Sequence, residues 1–310
     1  RRSMKKALHI SIYCKRFILM LHYLSIHVDM NSLLAATVTV SINLSKEEYR
    51  LALITCNFFS DTLGLSTSMT VILPQQTSSQ IGMNNRSSQK LHKTLYLLHG
   101  FSDDDTIWSR RTSVERYVAE LGLAVVMPNV HQSFYTDMEY GNKYWTFLTE
   151  ELPAIARSFF PLSDAREDNY VAGLSMGGYG AFKWALRHPD RFAAAGSLSG
   201  ALDMANHIKD PAMPHMKPYF RLIYGENEIK GTGEDLLHLV AGLAQSDLAK
   251  PSLYQCCGTE DFLYDDNIAF RDACKAADYP LTYVEGPGSH EWGYWDTHIQ
   301  HFLQWLPLEK

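Results

Sequence analysis

The sequence has no apolar run long enough to cross a bilayer, no large excess of charge of one sign, and no histidine, cysteine or carboxylate cluster with metal-ligand spacing. Each absence removes a class of function. Lys and Arg number 28 against 34 Asp and Glu, a net charge of −6, and past the first twenty positions the basic residues are scattered. No phosphate-tracking groove is on offer, so nucleic acid is not an expected partner. Without ligand spacing a metal hydrolase is disfavoured, and neither a metal nor a cofactor is expected. The five cysteines, Cys14, Cys56, Cys256, Cys257 and Cys274, are odd in number. Cys256 and Cys257 are neighbours in an apparent core strand, so buried free thiols of a reducing compartment are the default reading. No internal repeat is visible.

What is present is an ordinary globular composition, 46% hydrophobic and 20% charged over 310 residues, enough for one large α/β domain. The first fifty residues fit it least. Met4-Lys5-Lys6 ahead of Phe17 to Leu21 has the outline of a secretory signal, but Lys15, Arg16 and His22 interrupt it. Residues 1–50 are read as a leader or extension outside the catalytic fold, and 51–310 as the catalytic domain. Gln75 to Lys90, rich in Ser, Gln and Asn, reads as a surface loop between strands.

From Leu51 onward strand and helix patterns alternate, which predicts an α/β fold: a mostly parallel sheet with helices on both faces. Ile54 to Phe59 and Ser68 to Leu73 read as an opening antiparallel pair. Thr94 to Leu98, Ala124 to Met127, Asn169 to Ala172, Ala193 to Leu198, Ser252 to Cys257 and Leu281 to Val284 read as the remaining strands. Val114 to Leu121 and Gly178 to Arg187 read as helices, as does Tyr144 to Phe160, where Pro153 predicts a bend. Residues 203–233, with Pro211, Pro214 and Pro218 around Met213 and Met216, break the rhythm. They read as a small irregular cap insertion over the sheet's C-terminal edge.

The most informative stretch is Gly173-Leu174-Ser175-Met176-Gly177, set between a strand pattern and a helix pattern. A serine at the apex of such a turn takes strained backbone angles that only small neighbours tolerate, and the following helix aims its N–H groups at any oxyanion formed there. Ser175 therefore reads as a nucleophile. Its hydroxyl needs a base, and the base needs an orienting acid; in this architecture the order is Ser, acid, His. Among thirteen histidines, His290 follows the last strand on a short glycine-rich loop and is the expected base. His298 and His301 fall on the terminal helix, and His188 at a helix end. For the acid, Asp261 is preferred over Glu260, while Asp265 and Asp266 suit the first turn of the next helix. The expected oxyanion donors are the N–H groups of Met176 and Phe101, with His99 bracing the latter's loop. Trp108 and Trp292 are candidates for the substrate wall, or equally for packing anchors. Phe134, Tyr135 and Tyr140 follow a strand end on the functional edge, where they could accept an aromatic acyl group.

Five ordered blocks carry a resemblance: Leu97-Leu-His-Gly100 followed by Trp108, Ala172 to Phe182, Ser197 to Ala201, Gly258 to Tyr264, and Ser289-His-Glu-Trp292. Over about Leu53 to Pro307 the chain resembles the esterase D-like branch of the α/β-hydrolase superfamily, in particular bacterial tributyrin esterases. The resemblance implies an α/β-hydrolase fold and hydrolysis of short-chain acyl esters, a small-molecule substrate, without a cofactor. It implies Ser175, Asp261 and His290 as triad, with Phe101 and Met176 as oxyanion donors. It further implies a cytoplasmic location, with secretion the alternative that the N-terminal segment leaves open, and a homo-oligomer, for which exposed apolar residues of the insertion are the first place to look. Feruloyl and acetyl carbohydrate esterases, S-formylglutathione hydrolases and mycolyltransferases belong to the same wider group, and fold alone does not choose among them.

Overall fold

The computed structural model describes residues 49–76, 91–211 and 213–308. The leader reading, Cys14 and most of the Gln75 to Lys90 loop lie outside the described residues. Gln75 and Gln76 themselves belong to a strand rather than to that loop.

Among the described residues, eight strands form one sheet in the order β1-β2-β4-β3-β5-β6-β7-β8. β1 (Tyr49–Ser60) and β2 (Leu65–Gln76) pair antiparallel over twelve residues each, extending the expected pair at both ends. β2 meets β4 (Ala124–Pro128) antiparallel, and β3 (Thr94–Leu98), β5 (Asn169–Leu174), β6 (Ala194–Leu198), β7 (Ser252–Gly258) and β8 (Leu281–Gly286) continue in parallel. Every residue of β3, β4, β5 and β6 is buried, as expected of parallel strands covered on both faces. The two-residue period sorts their side chains: Leu95 and Leu97 of β3 pack on one face with Trp108, Ile299 and Phe302, and Tyr96 and Leu98 on the other with Phe147, Phe182 and Trp184.

The helices follow the expected crossovers. α1 (Ile107–Arg111) and α2 (Val114–Ala119) link β3 to β4, α5 (Met176–Arg187) links β5 to β6, α9 (Tyr264–Ala276) links β7 to β8, and α10 (Trp292–Trp305) closes the chain. The bend expected at Pro153 takes a specific form. α3 (Tyr144–Thr146) widens into a π-helical turn, Phe147–Glu151, before α4 (Leu152–Phe159) resumes. Proline has no N–H to offer the carbonyl four residues back, that of Thr149, and the Arg191 guanidinium donates to that oxygen instead.

The 203–233 insertion is more ordered than its proline content predicts. It contains α6 (Met204–His207) and α7 (Lys217–Tyr224), whose Phe220 and Ile223 are buried while Tyr219 and Leu222 stay exposed. α8 (Leu236–Ala244) follows it, N-capped by the Asp235 carboxylate. No helix among the described residues is long and apolar enough to cross a membrane.

Candidate active site

Ser175 sits between the end of β5 and the first residue of α5 with φ +53 and ψ −118, a conformation side-chain-bearing residues rarely hold. Its surroundings over-determine it. The Ser175 N–H donates to Leu198 O at 2.9 Å, tying the turn to the end of β6. The flanking glycines are required by close approach: a Cβ on Gly173 would lie 2.4 Å from the Gly177 carbonyl, and one on Gly177 2.5 Å from Leu98 O. The turn lifts the serine out of the sheet, leaving it only partly buried at the C-terminal edge.

The other two residues arrive on neighbouring strand ends. Asp261 follows β7 and His290 follows β8, and the two loops are laced together: Thr259 N–H donates to Gly286 O at 2.9 Å, Glu260 N–H to Gly288 O at 3.0 Å, and Gly288 N–H to the Glu260 carboxylate at 2.6 Å. Glu260 is exposed, and its carboxylate is taken by the Gly288 N–H and the Thr259 hydroxyl. Asp261 is placed differently. Its side chain has no exposure, and His290 Nδ1 stands 3.0 Å from both its oxygens. His290 Nε2 stands 3.0 Å from Ser175 Oγ. With Nδ1–H donated to the carboxylate, Nε2 is left as the acceptor for the serine proton. The imidazole is held between aromatic rings, Phe262 at 4.5 Å and Trp295 edge-on at 4.8 Å, and Trp295 is itself fixed by its Nε1–H to Ser199 Oγ at 3.1 Å. Asp266 lies 3.5 Å from His207, away from the catalytic histidine candidate.

Phe101 lines the same cleft as Ser175, and Met176 follows the serine in the chain. Met176 opens α5, so its N–H belongs to the unpaired first turn of the helix, and neither it nor the Phe101 N–H has a hydrogen-bond acceptor among the described residues. His99 braces the Phe101 loop. It is buried, its Nε2 accepts from Val130 N–H at 3.1 Å, and its Nδ1 therefore donates to Gly100 O at 2.7 Å. Burial pulls this imidazole down to about 4, keeping it neutral at the tautomer the loop needs.

A cleft of about 450 Å³ opens over these groups. Phe101, Phe134, Phe262 and Trp292 form much of its wall, and the insertion contributes Met213 and Met216. Trp108 is not in the lining; it is 1% exposed, donates from Nε1 to Leu98 O at 3.0 Å, and meets Trp292 edge-on from behind. Of the aromatic residues after β4, Phe134 faces the cleft, Tyr135 is buried with its hydroxyl on His99 O, and Tyr140 is exposed on the surface. Phe262 and Trp295 went unnoticed in the sequence, although Trp295 lies three residues beyond Trp292 on one helix face and Phe262 is the neighbour of Asp261. Among the described residues no cluster of three or more His, Cys, Asp or Glu could hold a metal ion.

The chain is similar to known esterases over most of its length. Residues 60–306 match the family model Esterase, described as "Putative esterase". An acetyl esterase of Caldicellulosiruptor saccharolyticus is 31% identical over 262 residues, covering 83% of this chain and 98% of the relative. Two solved structures from Staphylococcus aureus superpose well. FphF, a fluorophosphonate-binding serine hydrolase, is 38% identical with TM-score 0.74 over 84% of this chain and 100% of its own. The S-formylglutathione hydrolase FrmB is 39% identical with TM-score 0.71 over 83% of this chain and 99% of its own.

Proposed function

The chain belongs to this esterase family and is a carboxylic ester hydrolase of the α/β-hydrolase fold, and from that premise we propose that it cleaves short-chain acyl esters through an acyl-enzyme formed on Ser175. The observation that carries the reading is the continuous hydrogen-bonded chain from Ser175 Oγ through His290 to Asp261, each link 3.0 Å.

In this mechanism His290 Nε2 takes the Ser175 proton as Oγ bonds to the ester carbonyl carbon. The carbonyl oxygen becomes an oxyanion held by the Phe101 and Met176 N–H groups, each worth about 3 kcal/mol in the transition state. Collapse breaks the bond to the alcohol, which leaves with the proton from His290. A water then gives its proton to His290 and attacks the acyl carbon, and the acid departs from a restored serine. Asp261 holds the imidazole in one tautomer and stabilises its transient positive charge.

The substrate side of the reading rests on the cleft. Its volume, about 450 Å³, and its phenylalanine and methionine walls suit a small apolar acyl group. The relative named as an acetyl esterase makes acetate esters the first to try, with tributyrin and methyl ferulate beside them. A thioesterase acting on S-formylglutathione, the activity in FrmB's name, is the second reading. Asp103 and Glu291 in the lining, with no Lys or Arg there among the described residues, favour an uncharged leaving group over one bearing carboxylates. A cytoplasmic location is part of the same reading, supported by free Cys56, Cys256, Cys257 and Cys274.

A fluorophosphonate probe tests the chemistry. Labelling should map to Ser175 and vanish in Ser175→Ala together with hydrolysis of p-nitrophenyl acetate; retained labelling or turnover within tenfold of wild type rejects the assignment.

A further inference from the structure

The bend Leu198-Ser199-Gly200-Ala201 at the end of β6 grips the nucleophile by its main chain. Leu198 O accepts the Ser175 N–H at 2.9 Å, and the Ala201 N–H donates to Ser175 O at 3.2 Å. Between these two contacts Ser199 is buried with φ +48, in the left-handed region that side-chain-bearing residues rarely occupy. The neighbouring strand and helix hold it there. Its N–H donates to Cys256 O at 2.8 Å, and the Asn267 side-chain amide donates to Gly200 O at 2.9 Å. Backbone strain of this kind persists where the surroundings over-determine it, often to aim a side chain. Here the Ser199 hydroxyl is aimed at the Trp295 indole, whose Nε1–H it accepts at 3.1 Å.

Trp295 stands against the imidazole, and the imidazole needs a wall. His290 lies just past β8, the outermost strand on its side of the sheet, on a loop that contains Gly286 and Gly288. The Asp261 carboxylate holds Nδ1, but a hydrogen bond tolerates roughly 30° of bend before it weakens. Nε2 lies across the ring from that contact and has to meet Ser175 Oγ. Of the two rings beside the imidazole, Phe262 is 62% exposed and has little packed behind it. Trp295 is 5% exposed, stands at 88° to the imidazole, and is pinned through its indole nitrogen. Ser199 is therefore at the root of the one buried aromatic contact that His290 makes.

We propose that Ser199 is a positioning residue of the hydrolytic reaction: by fixing the Trp295 indole, it keeps the His290 imidazole in line with Ser175 Oγ. One bend then sets the nucleophile through its main chain and the base through its side chain. The inference rests on the hydrolytic reading of Ser175 and His290.

A double-mutant cycle on the full chain tests it, with wild type, Ser199→Ala, Trp295→Phe and the double variant assayed on p-nitrophenyl acetate. Rates are expressed per active site, counted by fluorophosphonate labelling carried to completion, so a misfolded fraction does not enter kcat. Ser199→Ala should lower kcat about tenfold or more, with KM within about twofold of wild type. Trp295→Phe should do the same, and the double variant should be no slower than Trp295→Phe alone, since both changes break one line of support. Should Ser199→Ala fail to fold, Ser199→Gly takes its place, because glycine accepts this φ while removing the same hydroxyl. A kcat per site within about twofold of wild type, a loss confined to KM, or losses that multiply in the double variant overturns the role of Ser199. Those outcomes leave the hydrolytic reading standing. Wild-type turnover that survives Ser175→Ala rejects that reading instead, and this inference with it.

Discussion

Glu234 sets its carboxylate 2.7 Å from the Lys183 ammonium, a side chain with no solvent exposure in the middle of the helix that follows Ser175. The pair joins the end of the insertion to that helix. Tyr179 O–H and Thr136 Oγ1–H also donate to Glu234, and Lys183 Nζ lies 4.6 Å from the Trp145 ring centre. Burial still pulls Lys183 down to about 8, so pairing offsets only part of the desolvation. Burial raises Glu234, and the Lys183 charge together with the hydrogen bonds from Lys183, Tyr179 and Thr136 more than reverses it, holding the carboxylate below its ordinary range.

Removing one partner is therefore asymmetric. Glu234→Gln strands a buried ammonium and should cost about 3 kcal/mol or more of unfolding free energy. Lys183→Met leaves a carboxylate that is 19% exposed and still 3.4 Å from Arg187, and should cost clearly less. Urea unfolding of the two variants decides; the opposite ranking shows that the pair's electrostatics do not control the attachment.

His99 makes the fold acid-sensitive. Its folded value is about 4 against 6.5 for a free imidazole, so between those pH values the unfolded chain binds the extra proton and the folded one does not. Stability is thus fully present above pH 6.5 and is lost as pH falls toward 4, by up to about 3 kcal/mol from this residue. His298, also pulled down to about 4 by burial, adds in the same direction. Unfolding free energies at pH 7 and pH 4.5 should differ less in His99→Gln than in wild type. An identical drop in both excludes His99 as a source.

The two acids after β7 should separate by kind of effect. Asp261→Asn removes the carboxylate that fixes the His290 tautomer and should lower kcat by about ten-thousandfold with little change in KM. Glu260→Gln keeps an acceptor for Gly288 N–H and should change kcat by less than about tenfold. Near-equal losses in the two variants indicate that Glu260 does more than tie the loops.

Much of this site was readable because its parts sit just past strand ends, where buried β-runs give way to Gly, Ser, Asp and His. Gly173, Ser175 and Gly177 announce their turn through steric need alone. The cap was less readable: α7 is eight residues long with Pro218 in its first turn, too short for a helical period to stand out. α8 escaped because Leu236 to Ala244 is apolar on nearly all sides, although Asp235 ahead of it is an ordinary N-cap signal. Pro153 signalled a bend without its form, because the π-helical turn depends on Arg191, distant in sequence, to satisfy Thr149 O. Trp108 and Trp292 were indistinguishable from composition; only the packing puts one behind the other.

Charge in the cleft should set leaving-group preference. Asp103 lines it beside the Phe101 loop, and half-burial raises its carboxyl while hydrogen bonding to the Gly100 backbone draws it back. Glu291 is the other acid there, but it caps the terminal helix through Gly293 and Tyr294 N–H, so Asp103 is the cleaner residue to change. A carboxylate a few ångström from an anionic leaving group costs about 1 kcal/mol in a water-like environment, about fivefold in rate. Asp103→Asn should therefore raise kcat/KM for an acetate ester of a carboxylated phenol about fivefold relative to the ester of the uncharged phenol, and salt should shrink the difference in wild type. The ratio of the two esters, read in one assay, cancels any general loss of activity. If the ratio is unchanged in Asp103→Asn and insensitive to salt, the acids of the cleft do not face the alcohol side of the substrate, and the S-formylglutathione reading regains the ground that the lining charges take from it.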